Sequence, residues 1–345
     1  MKELKGLCTG IGSLPHKNSE LGLALELIFK YVPNIPFWPQ FPKRGEACEG
    51  MVMQFRENLP CISLTGDSLV YEQDDTGLEK FYEKIISQDL DYFQISKKCA
   101  LGLYALHDRL EGADLKNIEF IKCQVTGPFT FAAGIKDKKG RGQLYNAVFM
   151  QVVIKGLIMK ALWQIKLFGR FAKKIIMFLD EPYLGCFGSA YTPLSRESVV
   201  KHLREITEGI KSEGVLIGTH CCGNTDWSIF TDVKGIDIIN FDAFSFLDKF
   251  VLYAGNLKGF LKRGGIICWG IAPTQEFTGN ETADLLAAKI KSGIDTLVKK
   301  GVDRDLLLKN LIISPACGLG TLDAGKAEGI FKLLSETSQL IRKSL

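Results

Sequence analysis

The chain has 345 residues, of which 46% are hydrophobic and 24% charged, enough apolar material for a large core beneath an ordinary charged surface. Its 43 lysines and arginines against 39 aspartates and glutamates leave a formal net charge of +4. So even a balance excludes nucleic-acid binding by charge alone, and the basic run KDKKGR at 136–141 reads as a solvated loop.

The apolar runs fall into a recurring unit: a short β-branched stretch, a loop carrying Gly, Pro or polar residues, then a helical pattern. In chain order the runs are 7–13, 34–40, 120–128, 174–182, 215–222, 236–244, 265–273 and 310–318. Short continuous apolar runs of this kind predict buried parallel strands. The clearest helical stretches between and after them are 143–171, 195–212, 281–300 and 323–343, the last following Asp323 as N-cap. Eight strands alternating with helices predict a (β/α)8 TIM barrel, one domain spanning 1–345. The stretch 41–119 is too long for one crossover. It reads as an insertion after the second strand, holding extra helices and a hairpin around CISLTGDSLVY (61–71).

No run approaches the ~20 apolar residues of a membrane span, and the opening MKELKGLCTGIGS carries no apolar signal core. Ten cysteines without disulfide-like spacing predict a reducing, cytoplasmic setting. There, a Cys beside a His is a metal ligand or a nucleophile.

Polar residues in apolar surroundings gather at the C-terminal ends of the predicted strands: Ser13, Gln40, Thr126, Asp180 with Glu181, His220 with Cys222, Asp242 and Cys317. In a barrel these ends share one face, where active sites lie. The sharpest cluster is THCCGN (219–224). Residues i and i+2 of a strand point the same way, so His220 and Cys222 can both face the mouth while Cys221 turns away. That pair is half of a zinc site. Cys317, in SPACGLG where Gly318 and Gly320 let the chain bend, and Asp242 are the candidates for the other half. Two thiolate ligands make zinc a poor activator of water but suit it to hold a substrate thiol as nucleophilic thiolate. In FLDEP, Asp180 and Glu181 must face opposite ways, and Asp180 is the one expected to meet a substrate ammonium; Gly10, Gly12 and Ser13 offer backbone N–H groups to an anion.

These residues resemble a known family. TGIGSLPH (9–16), CQVTGPFTF (123–131), FLDEP (178–182), IGTHCCGN (217–224), DIINFDAF (237–244) and SPACGLGT (314–321) are similar, in order, to the C-terminal barrel of cobalamin-independent methionine synthase, in the superfamily that includes uroporphyrinogen decarboxylase. The resemblance implies zinc on His220, Cys222 and Cys317, with the family's fourth ligand, a Glu, falling on Asp242. It implies homocysteine contacts at Ile11, Gly12, Ser13 and Asp180. Gln40 stands beside the place of a further family Glu, in PQFPKR (39–44), and Thr126 completes the expected substrate pocket. WGIAPT (269–274) lacks the family's proton-donating His.

The implied activity is zinc-dependent methyl transfer to a thiol, homocysteine foremost. The chain looks like the short, one-barrel forms, for which a methyl-corrinoid delivered by a partner corrinoid protein is the implied donor. Two other readings stand beside it. A uroporphyrinogen-decarboxylase-like lyase needs a basic pocket, whereas these strand ends offer Cys, Asp and Gln. A non-catalytic thiol- or corrinoid-binding barrel would keep the fold without the chemistry.

Overall fold

The computed structural model describes residues 4–344 except 45, 46, 113, 173, 190, 191 and 193. Three of those exceptions fall in the 41–119 stretch and lie outside the described residues. Among the described residues ten strands are formed: β1 (Leu7–Cys8), β2 (Ile62–Thr65), β3 (Ser68–Tyr71), β4 (Ile121–Thr126), β5 (Lys136–Asp137), β6 (Ile175–Asp180), β7 (Val215–Cys221), β8 (Ile238–Phe241), β9 (Ile266–Ala272) and β10 (Leu311–Pro315). Seven of them make one all-parallel sheet in the order β1-β10-β9-β8-β7-β6-β4, curled into a half-barrel with helices outside.

The strands are two-sided. Every residue of β4, β6 and β9 is buried. On β6, Ile176 and Phe178 join an inner cluster with Leu7, Ile238, Cys268 and Ile312. Met177 and Leu179 face outward into the larger core shared with the helices. Burial on both faces is why these segments read as continuous apolar runs rather than alternating ones.

The expected closed, eight-stranded barrel is corrected at 34–40. This segment lies between the two sheet edges but forms no ladder. It makes single parallel bridges, Ser13 with Gln40 and Phe37 with Lys122. Its backbone bonds include Lys122 N–H to the Pro36 carbonyl (2.9 Å), Gln40 N–H to the Gly12 carbonyl (3.1 Å) and Leu14 N–H to the Gln40 carbonyl (2.8 Å). Pro33, Pro36 and Pro39 supply the reason, since proline has no N–H to donate to a ladder.

The hairpin expected at 61–71 is β2 and β3, antiparallel around Gly66-Asp67, with Gly66 at φ 60°. Glycine at the first central position is what a two-residue hairpin turn of this hand requires. The run expected to be only a loop, 136–141, contributes β5, which pairs in parallel with β3. The helix Ala147–Phe168 corrects another expectation: with 22 residues it is long and apolar enough to cross a membrane by length and composition. Its most apolar window is 72% buried inside the fold, which is how a core helix passes the same test.

Candidate metal centre

Because the sheet is parallel, the C-terminal ends of β1, β6, β7 and β10 open on one face. A cavity of about 280 Å³ lies there, lined by Ile11, Ser13, Gln40, Asp180, His220, Cys222 and Cys317, and also by Glu49, Met51, Gln275 and Thr321.

His220 and Cys222 reach it by strand alternation. His220 is buried, and Cys222 follows β7 immediately. Cys221, between them, is fully buried on the outer side, its thiol pushed up to about 12 by desolvation. Cys317 arrives from the end of β10. The His220, Cys222 and Cys317 donor atoms all lie within 4.8 Å of one another. A tetrahedral zinc with these ligands has donor–donor edges of about 3.5–3.8 Å, so the three fit around one ion with a small inward shift.

The imidazole is held in one tautomer. Asn240 Nδ2 donates to the Cys268 carbonyl and to Ser314 Oγ, both at 2.9 Å. A backbone carbonyl only accepts, so the amide's orientation is fixed and Asn240 Oδ1 must accept from His220 Nδ1, at 2.5 Å. That leaves the Nε2 lone pair for a metal, the usual arrangement of a ligating histidine. The sulfurs are unequal. The Cys317 thiol is pulled down to about 4, first by a hydrogen bond from Cys222 and also by His220, against the cost of burial. The Cys222 thiol is pushed up by the same contact. The contact thus favours ionisation of Cys317 over Cys222. Replacing Asn240 by leucine is expected to weaken metal binding about 10–100-fold, the usual cost of losing such a support. A competitive titration with a chromophoric chelator measures it.

Gly318 and Gly320 serve close approach rather than a bend. Neither has positive φ. A Cβ on Gly318 would meet Ser13 Oγ at 2.3 Å, and one on Gly320 would meet Pro42 Cγ at 2.4 Å. The Cys317 loop therefore lies directly against the turn after β1, and Gly320 N–H donates to Ser13 Oγ at 3.2 Å.

Asp180 ends β6, opposite His220 in register, 4% exposed and facing the cavity. Its Oδ1 is buried without a hydrogen-bond partner. Burial raises its pKa, opposed chiefly by Lys122 and then His220. Glu181 turns the other way. It accepts from Phe129 N–H (2.9 Å), Thr130 N–H (2.8 Å) and Thr130 Oγ1 (2.7 Å), at the start of the helix Pro128–Ala133. Glu181→Ala strands three donors, one buried and two part-buried, and is expected to cost about 3 kcal/mol of stability, measurable by denaturant unfolding.

Two expected site residues are engaged elsewhere. Asp242 is not one of the clustered donors and does not line the cavity. It is the N-cap of the helix Ala243–Phe250, accepting from Ser245 N–H at 2.8 Å, and this capping turns its carboxylate from the three donors. Thr126 does not line the cavity; its hydroxyl donates to the Met51 carbonyl at 2.6 Å and pins that segment at the rim. Gly12 is behind the cavity wall, where a Cβ would meet Gln40 Oε1 at 2.7 Å. Gln40 lines the cavity with its amide donating to Gln54 Oε1 at 2.5 Å.

Glu49, Met51, Gln275 and Thr321 are lining residues that strand-end reasoning passes over. Glu49 is buried and pairs with Arg44 at 2.8 Å, while also accepting from Phe41 N–H and Leu101 N–H. It fastens the chain after Gln40 to the helix Leu101–Glu111. Gln275 donates to Thr321 Oγ1 at 3.0 Å. No lysine or arginine lines the cavity among the described residues.

No protein-family model matches the sequence, and no curated relative matches it. Solved structures do. A B12-independent methionine synthase from Shewanella sp. W3-18-1, in complex with selenomethionine, superposes with a TM-score of 0.59 at 17% identity, covering 99% of this chain and 98% of that one. A protein assigned as a vitamin-B12-independent methionine synthase from Listeria monocytogenes gives 0.54 at 16% identity, covering 95% and 86%. The chain thus shares the fold of these two proteins at low sequence identity. The same comparison corrects the expected donor. Both proteins are described as independent of B12, which runs against a methyl-corrinoid and against a partner corrinoid protein.

Proposed function

We propose that this chain is a zinc-dependent thiol S-methyltransferase that works without cobalamin, with homocysteine as the leading acceptor and the cytoplasm as its setting. The observation that carries the reading is a cavity with three soft and borderline donors at one end and an unpartnered buried carboxylate, Asp180, in its wall. A buried carboxylate without a partner is costly unless a ligand completes it. An amino acid ending in a thiol has the two groups that this cavity lacks.

The donor set favours sulfur. Zinc bound here would hold a substrate sulfur as thiolate and, with two cysteine ligands already supplying negative charge, leave it electron-rich. The chain's own residues do the rest. Asn240 fixes which nitrogen His220 presents. Cys317 is the more readily ionised of the two thiols. Asp180 receives the substrate ammonium, and the Ile11–Ser13 turn lies where its carboxylate is to sit. The sulfur lone pair then forms the new S–CH3 bond as the donor's bond to the methyl group breaks, its electron pair leaving with the donor. The open cavity beside the ligands speaks for a free coordination position rather than a closed structural site.

The test is incubation of zinc-loaded protein with homocysteine and isotopically labelled, cobalt-free methyl donors, methyltetrahydrofolate and S-adenosylmethionine among them. Label in methionine supports the reading. Zinc-loaded protein that neither binds homocysteine nor forms methionine with any donor overturns it.

A further inference from the structure

Lys122 is a charged residue of the sheet interior that this chemistry leaves unused. It lies on β4, 1% exposed, on the same face as Gln124 and Thr126. Its Nζ donates to the Ile11 carbonyl at 2.5 Å and to Gln124 Oε1 at 3.3 Å, and sits 4.6 Å over the Phe178 ring. None of these partners is charged. A buried ammonium needs an anion, and the nearby candidate is Asp180, on the neighbouring strand β6. β4 and β6 pair from Ile121↔Ile175 to Thr126↔Asp180, so even-numbered residues of both strands share the inner face. Asp180 has the complementary deficit: its Oδ1 is buried without a hydrogen-bond partner.

We propose that Lys122 is the positioning residue for the amino-acid end of the cavity: its ammonium anchors the Ile11 carbonyl in the cavity wall and is the buried counter-charge of Asp180. The inference rests on an amino thiol occupying the cavity. Lys122 does not line the cavity itself. It acts through Ile11 and Asp180, which do, and the Lys122 and Asp180 charges each oppose the cost that burial puts on the other. Methionine matches the length of the lysine stem and carries no charge, so Lys122→Met removes the ammonium with little change in packing.

The experiment uses the full chain with cobalt in place of zinc. Homocysteine and its counterpart without the amino group, 4-mercaptobutyrate, are each titrated while the sulfur-to-cobalt absorption is followed. The unsubstituted protein is expected to prefer homocysteine by ~10–100-fold, the span of a charged hydrogen bond. Lys122→Met is expected to erase most of that preference, weakening homocysteine far more than 4-mercaptobutyrate while binding cobalt as before, and Lys122→Arg to retain most of it. A purely structural role would weaken both thiols alike.

Lys122→Met with its preference intact overturns the inference and leaves the proposed function standing. Unsubstituted protein that binds both thiols equally also overturns it. Unsubstituted protein that binds neither thiol removes the proposed function as well. Thermal unfolding gives an independent measure should Lys122→Met fold poorly. Removing both charges in Lys122→Met/Asp180→Asn should restore part of the stability lost in Lys122→Met, and additive losses would contradict the pairing.

Discussion

Cys317→Ala is expected to lose zinc by more than ~100-fold in affinity, beyond the cost of disturbing a mere supporting residue, and thiol binding with it. Cys317 supplies one of three donors and is the thiol already drawn down to about 4 in the metal-free pocket. Without it, His220 and Cys222 remain as a two-donor half site, and the hydrogen bond that linked Cys222 to Cys317 has no acceptor. The fold should survive. Cys317 lies in a loop after β10, not in the inner or outer core cluster. Elemental analysis and thermal unfolding of the same preparation separate the outcomes. Protein that has lost metal but keeps its melting temperature marks a functional site. Protein that unfolds on losing the metal marks a structural one.

Asp180→Asn is expected to cost ~10–100-fold in homocysteine kcat/KM, the scale of a charged hydrogen bond, while zinc content stays unchanged. The substitution keeps size and shape and removes the charge. Asp180 is 4% exposed and its Oδ1 has no hydrogen-bond partner in the protein, and thermal unfolding of the same variant separates the lost ligand contact from the lost counter-charge of Lys122. The effect should fall on amino thiols alone. A thiol without an ammonium should react equally with both proteins, and an equal loss for both thiols would place Asp180 outside substrate recognition.

The strands were legible because burial on both faces writes a continuous apolar run, as in IIMFLD of β6. What the runs do not encode is pairing. NIPFWPQ has the composition of a strand, but its neighbouring and internal prolines withhold the N–H groups a ladder needs, so it bridges where a strand would pair. The clustering of His220, Cys222 and Cys317 was legible for the same geometric reason: i and i+2 alternation puts His220 and Cys222 together, and parallel strands bring Cys317 beside them.

Strand-end position alone misled at Asp242 and Thr126. Both end strands, yet a helix cap claims one carboxylate and the Met51 carbonyl claims the other side chain. The pattern ASP-x-x-SER at 242–245 carried the capping signal. Asn240 was readable too, two residues before Asp242 on one face of β8, but a neutral amide in an apolar run shows its purpose only beside His220. Glu49 and Met51 were beyond reach. They belong to the 41–119 stretch, and only tertiary packing brings that stretch over the cavity.

The central claim is an open metal position that takes a substrate sulfur. X-ray absorption at the zinc edge, with and without homocysteine, tests it most directly. The expected metal shell of the free protein holds two sulfurs, from Cys222 and Cys317, with His220 nitrogen and one light atom. Homocysteine should replace the light atom, giving three sulfurs at about 2.3 Å. A shell that stays at two sulfurs with saturating homocysteine would contradict the account.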